Sequence, residues 1–142
     1  MQSMTSHFMG LAALLVALIG CAGNEGPERR VVNGRVTFEG KPVDDGNVRF
    51  RPIKGTPGQN CGGPIREGQY TTKASGGVTV GTHRVEILAY HLKAPPGVDI
   101  DSLDPDEIIR QAYIPLRYNV QSELEYTVES GRGPVTKNFD LE

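Results

Sequence analysis

The four residues Leu18-Ile19-Gly20-Cys21 are the combination in this chain best suited to defined chemistry. A cysteine thiolate is a strong nucleophile. Here the cysteine follows two aliphatic residues and a glycine, directly after the apolar run FMGLAALLVALIG, Phe8 to Gly20. Other combinations are weaker. Beyond residue 21 only His83 and His91 remain of the histidines. If both lie on one regular strand they share a face about 27 Å apart, too far to ligate one metal. Asp99, Asp101, Asp104, Asp106 and Glu107 supply the clustered oxygens that calcium favours. Their spacing does not fit the EF-hand loop, however, and a helix-capping role accounts for Asp104 and Glu107. Ser75, Ser102, Ser122 and Ser130 sit in turn-like contexts without a nucleophile-elbow motif, and Cys61 has Arg66 nearby but no histidine. These patterns predict a non-catalytic domain with neither metal nor cofactor.

The apolar run is about thirteen residues, short of the roughly twenty a spanning helix needs but right for the hydrophobic region of a signal peptide. The string Leu18-Ile19-Gly20-Cys21 resembles the bacterial lipobox, and it implies cleavage before Cys21 and diacylglyceryl transfer to its thiol. The first ten residues, MQSMTSHFMG, lack the Lys or Arg usual ahead of such a run. The expected organisation is a signal peptide over 1–20, a polar tether over 21–30 and a folded body over 31–142. A multiply acylated cysteine would hold the protein on a membrane. Ala22, where an aspartate would resemble an inner-membrane address, implies the outer membrane in a cell that has two.

The 15 basic and 17 acidic residues all follow residue 20 and leave a formal charge of −2, which gives no reason to expect nucleic-acid binding. With 18 Gly, 10 Pro and no Trp, the composition suits turn-rich β structure. Val32, Gly34, Val36 and Phe38 alternate along a first strand, which turns at Glu39-Gly40. Val48 and Phe50 alternate with Arg49 and Arg51 in a second, ended by Pro52. Residues 54–64 read as a loop, Glu67-Gly68 as a two-residue hairpin turn, and His83–Leu92 as the clearest strand. On that strand Val85, Ile87 and Ala89 face one way while Arg84, Glu86 and Tyr90 face the other. Leu124, Tyr126 and Val128, then Val135, Phe139 and Leu141, continue the pattern. About seven strands in some 110 residues predict an all-β antiparallel sandwich. One short helix is expected over IIRQAY (108–113), because Asp104-Pro105-Asp106-Glu107 resembles a capping box.

Several segments together resemble carboxypeptidase-regulatory-like domains. They are Val32-Asn33-Gly34-Arg35-Val36-Thr37-Phe38-Glu39-Gly40-Lys41-Pro42-Val43, Gly46-Asn47-Val48-Arg49-Phe50, Gly68-Gln69-Tyr70-Thr71, Gly81-Thr82-His83-Arg84-Val85-Glu86-Ile87, Ile114-Pro115-Leu116-Arg117-Tyr118-Asn119, Ser122-Glu123-Leu124 and Asn138-Phe139-Asp140-Leu141. The resemblance covers nearly all of 31–142 and implies a transthyretin-like sandwich used as an accessory or attachment module. Its matched positions are turns and core, so it brings no site with it. The hydroxyisourate hydrolases of that fold use a His/Arg set and a Tyr-Arg-Gly-Ser motif that this sequence lacks. The expected function is therefore that of a membrane-anchored, extracytoplasmic attachment module in the cell envelope. The membrane would be met through the lipid on Cys21 and an envelope protein through residues 94–118. The alternative is a small-ligand, carbohydrate-binding lipoprotein, with Tyr90, Tyr113 and Tyr118 as candidate stacking surfaces.

Overall fold

The computed structural model describes residues 26–142. Leu18, Ile19, Gly20 and Cys21, and with them the expected signal peptide, lie outside the described residues. The described chain forms strands β1 (Arg29–Arg30), β2 (Val32–Phe38), β3 (Lys41–Pro42), β4 (Asp45–Pro52), β5 (Cys61–Arg66) and β6 (Gln69–Thr71). Then follow β7 (Val78–Thr79), β8 (Gly81–Lys93), β9 (Ile109–Ala112), β10 (Glu125–Val128), β11 (Val135–Thr136) and β12 (Phe139–Leu141). The expected all-β fold is what forms, with helical turns confined to three 3-10 segments at Ala74–Gly76, Ile100–Ser102 and Leu116–Tyr118.

β8 is the spine. It pairs antiparallel with β4 from His83 to Tyr90, with β10 at its start and with β9 at its end. The main path runs β10-β8-β4-β5-β6-β2-β11, and β12 and β3 also pair with β2. The period-two alternation sends Val48 and Phe50 of β4 and Val85, Ile87 and Ala89 of β8 to the interior, where all five are buried. They meet Val32 and Val36 of β2, Ile65 of β5, and Phe139 and Leu141 of β12. Phe50 is central, its ring 6.3 to 6.4 Å from those of Tyr70, His83, Tyr126 and Phe139. Each such buried side chain contributes about 1.5–3 kcal/mol of transfer free energy.

The turns follow their residue types. Glu39-Gly40 and Glu67-Gly68 both have positive φ at each residue, as the mirror-image hairpin turns joining β2 to β3 and β5 to β6 require. Gly34 serves a different purpose. The backbone between β11 and β12 crosses directly over it, and a Cβ there would stand 1.9 Å from the Lys137 carbonyl oxygen. Only glycine lets the final segment pass and pair with β2.

Four expectations are corrected. Residues 109–112 form β9 instead of a helix. The capping-box contacts do form, with the Asp104 amide donating to Glu107 Oε2 at 3.0 Å and the Glu107 amide to the Asp104 carbonyl at 2.9 Å. They close a turn only. A two-turn helix bounded by Pro115 is marginal on its own, whereas the free edge of β8 offers ladder partners to the four residues from β-branched Ile109, opposite Lys93, to Ala112, opposite Tyr90. Cys61 belongs to β5 rather than to the loop, buried opposite Phe50. The sheet is also not wholly antiparallel, because β11 and β12 run parallel to β2. Arg29 and Arg30, placed in the tether by the sequence, pair with β7, and the Arg30 guanidinium donates to the carbonyls of Glu129 and Gly133.

Candidate functional site

Arg49 and Arg51 on β4, and Arg84 and Glu86 on β8, are outward-facing by alternation, and the register sets Arg51 against Arg84 and Arg49 against Glu86. The three arginines therefore converge on one carboxylate. Arg84 Nη2 donates to Glu86 Oε1 at 2.8 Å, Arg51 Nη1 donates to the same oxygen at 3.1 Å, and Arg49 Nη1 lies 3.7 Å from Oε2. The Glu86 side chain is 5% exposed, while those of Arg49, Arg51 and Arg84 are 53%, 44% and 35% exposed. The carboxylate is thus the buried base of the cluster, and the guanidinium groups form its open surface. Each guanidinium carries five donors, so the single carboxylate leaves most of them free. Arg84 Nε is the one buried side-chain nitrogen or oxygen among the described residues without a hydrogen-bond partner.

Further along the same face Asp45 repeats the arrangement. It is buried, bonded to Arg66 of β5, and has Arg110 Nε of β9 3.7 Å away. Between the two clusters runs a groove of about 380 Å³ floored by Gly62 and Gly63 and walled by Asn47, Arg49, Asn60, Pro64, Leu88 and Tyr90. Five arginines and two carboxylates give this face a charge of +3 in a chain whose total is −2.

The other candidates do not assemble. His83 is buried and His91 exposed at the far end of β8. The Gly81 carbonyl, which can only accept, fixes the proton of His83 on Nδ1 at 3.1 Å, so Nε2 accepts from Thr79 Oγ1 at 3.2 Å. Burial lowers the pKa of this imidazole. His91 stacks on Tyr113 with ring centroids 4.0 Å apart, beside a cavity of about 440 Å³ that also touches Phe38 and Asp44. Burial and then the Asp44 carboxylate raise the pKa of the Tyr113 hydroxyl. Burial likewise raises the Cys61 thiol, which is the wrong direction for a nucleophile.

The acidic stretch is used locally. The Asp99 carboxylate accepts from the Asp101 amide at 3.1 Å, and Glu107 closes the turn at Asp104. Among the described residues no three His, Cys, Asp or Glu side chains gather as a metal site. The three tyrosines separate: Tyr90 lines the groove, Tyr113 stacks on His91, and the Tyr118 hydroxyl donates to the Glu142 carbonyl at 2.6 Å. The outward alternation of Arg49, Arg51, Arg84 and Glu86 was visible in the sequence. What gathers them is the register between β4 and β8, a long-range property that alternation alone does not carry. No protein-family model, curated protein or solved structure matches the chain.

Proposed function

We propose that this chain is a membrane-anchored, extracytoplasmic lipoprotein whose β-sandwich, of the carboxypeptidase-regulatory-like, transthyretin-like kind, is a non-catalytic attachment module. The anchor is the lipid on Cys21, following cleavage after Leu18-Ile19-Gly20. The seven residues from Ala22 to Glu28 that separate Cys21 from β1 span at most about 25 Å, so the body would stand close to the membrane surface, that of the outer membrane in a cell that has two. The envelope partner meets residues 94–118. The observation that carries this assignment is where the apolar surface lies. Among the described residues the exposed large hydrophobic side chains are Leu92, Val98, Ile109, Leu116 and Val120, all in or at the borders of that segment. Exposed apolar side chains concentrated in one stretch are what a protein partner covers.

The test is intact mass on the membrane fraction of cells expressing the full chain or its Cys21→Ala variant. A mass equal to residues 21–142 plus a diacylglyceryl or triacyl adduct, lost in the variant, supports the anchor. Soluble protein retaining residues 1–20 overturns it. A second reading, a small-ligand, carbohydrate-binding lipoprotein, is favoured by the groove beside Tyr90, where an aromatic ring and the Asn47 and Asn60 amides face one concavity.

A further inference from the structure

We propose that the outer face of β4, β5 and β8 binds a linear acidic polysaccharide, with the arginines around Glu86 and Asp45 taking its carboxylates and the groove between them taking the sugar rings. The inference rests on the carbohydrate reading of that groove and specifies the charge of the ligand. Three guanidinium groups share one buried carboxylate at Glu86 and two share Asp45, so each cluster keeps positive charge after its internal pairing. The buried carboxylates hold the arginine forks in place, which lowers the entropy lost when an external carboxylate is bound. Arginine pairs with planar carboxylates through two parallel N–H donors, and these forks are half-open to solvent.

The spacing selects a chain over a small anion. Arg51 and Asp45 are six residues apart on one strand, about 20 Å at roughly 3.3 Å per residue. A single phosphate or carboxylate reaches one cluster, whereas a polymer with a charge on successive rings reaches both. The stretch between is concave, with Gly62 and Gly63 at its floor and Tyr90 at its side. A planar lipid surface would rest on the rims and leave this depression unfilled. A sugar ring can stack on Tyr90, with its hydroxyls on the neighbouring amides.

The experiment is calorimetric titration of the full-length protein in neutral detergent with alginate, a linear polyuronate, and with dextran, a neutral polysaccharide. Phosphatidylglycerol vesicles and duplex DNA serve as competing polyanions. Alginate binding that weakens with added salt is expected, and Arg49→Gln combined with Arg51→Gln should weaken it about tenfold or more. Arg84 remains on Glu86 in that variant, and its circular-dichroism melt checks the fold. A control carrying Lys41→Gln and Lys137→Gln removes the same charge elsewhere and should bind as wild type does. Equal binding of dextran and alginate refutes the acidic specificity but keeps the carbohydrate reading. Binding of neither polysaccharide removes both. Preference for vesicles or DNA, or an equal loss in the lysine control, overturns the proposal.

Discussion

His83 lies inside the sandwich against Phe50, its Nδ1 donating to the Gly81 carbonyl and its Nε2 accepting from Thr79. Burial disfavours the imidazolium and lowers the folded-state pKa below the ordinary 6.5, more than the Gly81 bond restores it. The unfolded chain therefore takes up this proton first as the pH falls. Above about 6.5 both states are neutral at this residue and its contribution is fully retained. Below it, stability declines until the folded-state pKa is passed. Urea midpoints measured between pH 8 and pH 5 should fall on the acid side, and His83→Gln should flatten the part of that slope lying just below pH 6.5. An unchanged slope in the variant would assign the acid loss to carboxylates. Gly34 shows the other side of residue-scale control, since its demand comes from a backbone passing overhead and not from its own φ.

The elements differ in how plainly the sequence announced them. β2, β4, β8 and β10 each alternate apolar and polar residues because one face meets the core and the other meets water, and that local fact can be read along the chain. β9 could not be read so. All four of its residues are exposed, so no alternation marks it, and it forms because the end of β8 presents an unpaired edge. A correct capping signal at Asp104 led toward a helix that tertiary pairing outcompeted. Cys61 was masked by the glycines and prolines around it, and its burial depends on Phe50 standing opposite. The arginines around Glu86 depended in the same way on register, so Arg49, Arg51, Arg84 and Glu86 were legible along the chain while their meeting was not. The segment between β8 and β9 should be separable from the fold because its hydrogen bonds are internal turns. Replacing residues 97–106 by a Gly-Ser turn is expected to leave the thermal midpoint within a few degrees of wild type. A collapse of the melt would show that the segment is part of the sandwich's support, and not a surface for a partner.

Across the whole molecule the pairing closes late in the sequence. β2 sits near the beginning of the body, yet its partners β11 and β12 are the final strands, joined to it in register from Val32↔Val135 to Phe38↔Leu141. The Tyr70 hydroxyl ties into the same seam by donating to the Lys137 carbonyl at 2.7 Å. Removing residues 135–142 should therefore leave β2 unpaired on that side and strip Phe139 and Leu141 from the core. That loss of two buried side chains, at about 1.5–3 kcal/mol each, is a large part of the stability of a small domain. The expected outcome is a chain without a cooperative melt, checked by circular dichroism, and a sharp native-like transition would contradict it. The seam also orders events in time. A nascent chain emerging from its N-terminus cannot complete this sheet until residues 135–141 are available, and contacts spanning about a hundred residues form slowly. A polypeptide that must be threaded through a membrane before it folds would gain from that delay, staying open for passage until its final strand arrives.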